Sequence, residues 1–205
     1  YLKRSGFLNT KTSAIHALQD VSFELEKGKC LAIVGESGSG KSTLAKIIMK
    51  LLDPDSGSIY ISKQDVLNIS KQKLKAYRKK IQMIFQDPFS SLNPKFTIAQ
   101  ILAEPLEIHK TGTSNQIKAK VSKFIKLVGL SDEDLKRYPH QFSGGQRQRI
   151  CIARALIIEP DIIVCDEPVS ALDVSIQAQI LELLKELQKK LNLTYLFITH
   201  DLRVV

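Results

Sequence analysis

Apolar residues fall in two rhythms along this chain. Short, nearly unbroken runs read as buried strands: Lys29–Val34, Ile81–Phe85, Asp161–Cys165 and Thr194–Ile198. Longer segments repeat their apolar residues at helical spacing: Leu44–Leu52, Lys71–Lys79, Thr97–Ile108, Ser114–Leu127, Asp132–Arg137, Gly144–Ile158 and Ser175–Leu191. Val21–Glu26 alternates apolar and polar residues, the pattern of a half-buried strand, and Lys27-Gly28 turns it into the next run. Ser58–Ser62 reads as a further strand after the turn Asp53-Pro54-Asp55-Ser56-Gly57. Pro160 stops the helix before the Asp161 strand.

Strands alternating with helices predict an α/β fold with a mainly parallel sheet and helices packed against it. The alternation breaks once. From Asp87 to about Gln141 only helices are expected, after Gln86-Asp87-Pro88 ends a strand. The division that follows is a core of residues 1–86 and 142–205, with a helical subdomain of residues 87–141 inserted.

The turn between the first buried strand and the first helix carries the chemistry. Gly35-Glu36-Ser37-Gly38-Ser39-Gly40-Lys41-Ser42-Thr43 fits the phosphate-binding pattern G-x-x-x-x-G-K-[ST] in full. Glycine lets backbone approach phosphate oxygens with no Cβ in the way. The helix start offers unpaired N–H groups and the positive end of its dipole. Lys41 adds a point charge for the β/γ-phosphates, and the Ser42 hydroxyl can reach Mg²⁺.

The strand Ile162–Cys165 ends in Asp166 and Glu167. Carboxylates are costly inside a sheet, so they belong at its C-terminal edge, where open α/β sheets bind ligands. Asp166 can hold Mg²⁺, and Glu167 can deprotonate a water aimed at the γ-phosphate. A second glycine-rich helix start follows Phe142: Ser143 can cap a helix opened by Gly144-Gly145, again suited to phosphate. One nucleotide does not need two such helix starts from one chain. Two nucleotides in a dimer, each held by the loop of one subunit and the Ser-Gly-Gly of the other, account for both.

Composition narrows the picture. The 205 residues suffice for one sizeable core, and the apolar runs are too short to cross a bilayer. Cys30, Cys151 and Cys165 lie in apolar runs without metal-type spacing, so buried thiols are expected. The net charge is +9, much of it from Lys63–Lys80. That run has one interleaved aromatic, Tyr77, and no nucleic-acid motif beside it, which favours a solvated helix face.

Together, "GESGSGKST", "FSGGQRQR", "IIVCDEP", "SALD" and Thr199-His200 stand in the order and spacing of ABC-transporter ATPase subunits, which the whole chain resembles. The resemblance implies a P-loop NTPase fold of ABC type. It implies that Gly35, Glu36, Ser37, Gly38, Ser39, Gly40, Lys41, Ser42 and Thr43 form the Walker A loop. Gln86 matches the Q-loop glutamine that touches Mg²⁺ or water and signals to a membrane partner. Ser143, Gly144, Gly145 and Gln146 match the signature that closes on the opposite subunit's ATP. Asp166 matches the Walker B aspartate, Glu167 the catalytic glutamate, Asp173 the D-loop aspartate and His200 the switch histidine. Phe142 departs from the leucine more usual before Ser-Gly-Gly.

"IQMIFQDPFSSLNP" and "CDEPVSALDVSIQAQI" resemble the oligopeptide, dipeptide and nickel importer branch, most of all the second of its two ATPase subunits. That implies ATP and Mg²⁺, a second ATPase subunit, two transmembrane permeases, an extracytoplasmic solute-binding protein and a place on the cytoplasmic face of the membrane. The helical subdomain would grip the permeases. Peptide is the first expectation for cargo and nickel or a metal chelate the second. Family members continue past His200 and begin with an earlier strand, so the chain reads as clipped at both ends. Tyr1 then falls where an aromatic stacks on adenine, with Phe7 as its competitor. The rival is an ABC ATPase acting on nucleic acid or ribosomes, supported by the basic charge alone; no nucleic-acid partner is expected.

Overall fold

The computed structural model describes residues 2–5, 11–14 and 17–204. Tyr1 and Phe7, the candidates for adenine stacking, lie outside the described residues. Strands β1 (Leu2–Ser5) and β2 (Lys11–Ala14) pair antiparallel. The central sheet is built from β3 (Cys30–Val34), β6 (Ile81–Ile84), β7 (Ile162–Asp166) and β8 (Thr194–Thr199), with β4 (Tyr60–Ile61) and β5 (Gln64–Asp65) forming a small hairpin before β6.

The four central strands run parallel in the order β3-β8-β7-β6. Register places Val34 beside Thr199 and Asp166 beside Ile198. All four carboxyl ends therefore share one edge. The next residues along each strand are Gly35, Glu167, His200 and, two past Ile84, Gln86. Parallel topology alone thus gathers side chains from four distant parts of the sequence.

Both faces of this sheet are covered, so its central strands are apolar on both sides. Ile163, Cys165, Tyr195 and Phe197 point into one buried cluster, while Val164, Leu196 and Ile198 point into another. The second cluster is closed by α1 (Lys41–Ile48) and α2 (Lys71–Lys80), which contributes Tyr77. The Tyr77 hydroxyl donates to the Ile48 carbonyl, and burial pushes its pKa up. The remaining α2 residues except half-buried Leu74 face solvent, so the basic run is a solvated face.

Between β6 and α6 (Gly144–Leu156) lie α3 (Pro88–Ser91), α4 (Ile98–Ile108), α5 (Ser114–Leu127) and two short 3₁₀ turns, Asp132–Lys136 and Pro139–Gln141. Thr97 caps α4: its side chain accepts from the Gln100 N–H, and Gln100 Oε1 accepts from the Thr97 N–H at 2.8 Å. Ile98, Ile101, Leu102, Leu106, Phe124 and Ile125 are fully buried and join the same cluster as Ile163 and Phe197. Helix α7 (Val174–Leu191) closes that cluster from the far side.

Four expectations need correction. Val21–Glu26 forms no strand, and Val21 and Phe23 are 50% and 42% exposed. Alternation makes a strand only when a neighbour takes its hydrogen bonds, and none does so among the described residues. Ser58–Ser62 contracts to the two residues of β4, because Ser62 and Lys63 take positive φ to form a tight hairpin. Asp132–Arg137 is a 3₁₀ turn rather than an α-helix; its acidic first turn is held by Ser131 and Asp134. Cys30 is exposed at the start of β3, while Cys151 and Cys165 are buried as expected.

Candidate functional site

The glycine loop bridges β3 and α1. Gly40 is the N-cap residue of α1 with φ 93°, and no side chain caps the helix there. A Cβ at Gly40 would stand 2.0 Å from the Ala17 carbonyl oxygen, so glycine is required for both conformation and space. The uncapped start leaves N–H groups directed out of the first turn, where an anion is favoured.

Lys41 is buried, and its ammonium is held inside the loop's own curve. Nζ donates to the carbonyls of Gly35 and Glu36, each at 2.6 Å, and lies 3.4 Å from Ser39 Oγ. Ser37 and Gly38 sit exposed at the tip, and Thr43 is half-buried on the first turn. Ser42 reaches across the sheet edge: its Oγ donates to Asp166 Oδ1 at 3.2 Å. Burial raises the Asp166 carboxyl above its ordinary range, and the neighbouring Glu167 charge adds to the rise; the Ser42 hydrogen bond opposes it.

Glu167 is the hub. Its Oε2 accepts from Gln86 Nε2 at 3.1 Å and lies 3.0 Å from His200 Nδ1. The Glu167 side chain is only 13% exposed, whereas His200 is 51% exposed at the rim. Glu167 also adopts φ 51°, a left-handed conformation that costs a non-glycine residue about 1–2 kcal/mol. The turn is held by its surroundings: the Glu167 N–H donates to Ile198 O at 2.9 Å, and Ser170 Oγ donates to Glu167 O at 3.1 Å. Such strain at a sheltered carboxylate is the kind that functional sites retain.

The expected residues thus separate into two groups. Lys41, Ser42, Asp166, Glu167, Gln86 and His200 are gathered at one sheet edge. Ser143, Gly144, Gly145 and Gln146 are not joined to them: among the described residues, no hydrogen bond or ion pair links the two groups. Ser143 caps α6 as expected, its Oγ accepting from the Gln146 N–H at 3.3 Å. Gln146 Oε1 returns the favour to the Ser143 N–H at 3.0 Å, completing a capping box. Asp173 is the N-cap residue of α7 with no side-chain cap bond.

Sequence reasoning missed several contacts. Gly145 is pressed against α7: a Cβ there would meet Ile176 Cγ2 at 2.5 Å. Arg147 lays its guanidinium over the Phe89 ring, 4.1 Å from its centre, and donates from Nε to Pro139 O at 2.8 Å. Arg154 donates to Ser91 O, so α6 is bound twice to the segment just past Gln86. The capping box was legible as Ser-x-x-Gln before a helix; the other contacts left no local pattern.

The edge thus holds a glycine-rich loop, a hydroxyl–carboxylate pair and a sheltered glutamate, with a second helix start set apart. Residues 18–170 match the family described as ABC transporter. The chain belongs to that family. It is 53% identical to the oligopeptide transport ATP-binding protein AppF of Bacillus subtilis over 98% of this chain and 62% of AppF. It is 50% identical to the glutathione import ATP-binding protein GsiA of Escherichia coli over 98% of this chain and 32% of GsiA. The chain therefore spans about three fifths or less of these ABC relatives. Its fold matches the dimeric, post-hydrolysis structure of the ATP-binding cassette MJ0796 with ADP and Pi bound. There the TM-score is 0.83 at 33% identity, covering 99% of this chain and 86% of the other. Among the described residues, no helix is long and apolar enough to cross a membrane.

Proposed function

We propose that this chain is the ATP-hydrolysing core of an ABC importer subunit and drives uptake of short peptides through partner permeases. The observation that carries the proposal is the single Glu167 oxygen met by both Gln86 and His200, beside the Ser42–Asp166 pair. The names of AppF and GsiA support peptide-class cargo over nickel, and support importers over the nucleic-acid alternative.

The loop Gly35–Thr43 and the start of α1 receive the phosphates. Lys41 exchanges its loop carbonyls for phosphate oxygens, whose negative charge it meets better. Ser42 Oγ and Asp166 Oδ1 are hard oxygen donors 3.2 Å apart, which suits Mg²⁺. When bound there, Mg²⁺ supplies charge neutralisation at the phosphate oxygens. Glu167 orients a water and takes its proton as the water attacks the γ-phosphorus. The bond from that phosphorus to the β–γ bridging oxygen breaks, and ADP carries away the electron pair. His200 holds the γ-phosphate end, and Gln86 shares Glu167 with it.

Ser143, Gly144, Gly145 and Gln146 complete the nucleotide site of a second ATPase subunit, as the dimeric state of MJ0796 supports. ATP joins the two subunits, and hydrolysis releases them. Gln86 and the helices of residues 87–141 pass that motion to two transmembrane permeases on the cytoplasmic face of the membrane, fed by an extracytoplasmic solute-binding protein.

The test is capture of the full-length Glu167→Gln protein with ATP from its native membrane. Two permeases and a second ATPase should come with it, together with a peptide-binding protein. Ribosomal or nucleic-acid partners without a permease would overturn the importer reading, and a metal-chelate-binding protein would overturn the cargo.

A further inference from the structure

Gln148 stands on α6 one turn past the Ser143 cap and is completely buried. Its Nε2 donates to the carbonyl of Pro168 at 2.6 Å. Its Oε1 is buried without a partner among the described residues. A buried amide that leaves one end unpaired costs stability, so its presence points to a role for the paired end. Pro168 directly follows Glu167, whose φ of 51° must be maintained against its own preference. Among the described residues the turn is anchored from three places: Ile198 O takes the Glu167 N–H, Ser170 donates to Glu167 O from both its N–H and its Oγ, and Gln148 Nε2 donates to Pro168 O. The first two come from the sheet edge and from the turn itself. Only the third comes from the helix that begins at Ser143.

We propose that Gln148 is a positioning residue for Glu167, fixing the carboxylate through the Pro168 carbonyl and tying its place to that of α6. The inference rests on the ATPase reading with Glu167 as base. It adds a link within one subunit: α6 carries at one end the Ser143–Gln146 start offered to the partner's nucleotide, and one turn later it holds the turn that aims this subunit's own base. A displacement of α6 when its start meets or leaves the partner's phosphate is transmitted to Glu167 by one hydrogen bond. Gly144 and Gly145 allow this closeness, since α6 begins in contact with Leu172 and Ile176 just beyond the same turn.

The test uses Gln148→Met in the full-length protein, which keeps the length and flexibility of the side chain and removes the donor. Turnover should fall at least tenfold with ATP affinity within twofold of wild type. In a Glu167→Gln background the same substitution should lower the residual rate by less than twofold, because the group it positions is already gone. Gln148→Asn keeps an amide but withdraws it by one methylene, so it should show the same split, and it serves if Gln148→Met does not fold. Unchanged turnover in a folded variant would overturn the proposal. So would equal losses with and without Glu167, which would mark a general structural role. Wild-type protein that binds ATP without hydrolysing it would instead overturn the reading on which the inference rests.

Discussion

Two helices of this chain begin with glycines, and they begin differently. At α1 the N-cap residue is Gly40, no side chain caps the turn, Lys41 opens the helix, and the ends of β6, β7 and β8 bring Gln86, Asp166, Glu167 and His200 to the same edge. At α6 the start is closed by its own capping box, and no carboxylate or lysine among the described residues is bonded to it. The glycines also answer to different demands. Gly40 is dictated by φ and by the Ala17 carbonyl, whereas Gly145 is dictated by Ile176 on α7. The first start has a buried lysine, a hydroxyl–carboxylate pair and a sheltered glutamate beside it. The second has an anion-favouring end with no charged side chain bonded to it among the described residues, as the proposed role at another subunit's nucleotide requires.

The largest effects should come from the first start. Glu167→Gln keeps the size of the hub but cannot take a proton, so turnover should fall about 100-fold or more while ATP affinity stays within about twofold. Steady-state hydrolysis beside equilibrium binding separates the two; retention of most turnover would remove Glu167 from its role. Lys41→Ala should break the same site earlier, weakening ATP binding about tenfold or more by loss of a charge-assisted contact, read by titration calorimetry.

The second start should respond in stability before chemistry. Gly145→Ala places a methyl against Ile176 and should cost about 1–3 kcal/mol in denaturant unfolding. Ile176→Ala in the same chain should recover part of that cost, because the two changes share one contact. Additive losses would mean that Gly145 answers to something other than α7.

Smaller effects sharpen the contrast. Asp166 carries a carboxyl whose pKa is raised by burial, so its ionised form is disfavoured by the folded chain at neutral pH. Asp166→Asn should therefore raise the Tm of the nucleotide-free protein while weakening Mg²⁺-dependent ATP binding, and a lower Tm would contradict the burial cost. Arg147→Ala removes the stacking on Phe89 and should cost about 1 kcal/mol with nucleotide binding unchanged. A loss of ATP affinity in that variant would extend the first site further than its geometry does.

Much of this was legible before the structure because strand ends and motifs are local. The run Cys30–Val34 into glycines, and Ile162–Cys165 into two acids, each announce a sheet edge within ten residues. Their convergence followed from parallel topology, which alternation of strand and helix already implied. What was not legible depends on partners far along the chain. Val21–Glu26 has the alternation of a strand and, among the described residues, lacks a neighbour to pair with. Gly145 looks like a phosphate glycine in sequence, and its contact with Ile176 needs α6 and α7 placed side by side. The positive φ of Glu167 leaves no trace in composition, since glutamate is an unfavourable choice for it.

The most direct test of the central claim is Ser143→Arg in the full-length protein, with ATP affinity measured on the isolated subunit and turnover on the assembled transporter. A Ser143 that serves the partner's nucleotide predicts affinity within about twofold of wild type and turnover down by about tenfold or more. Weakened ATP binding in the isolated subunit, or full turnover in the assembly, would contradict it.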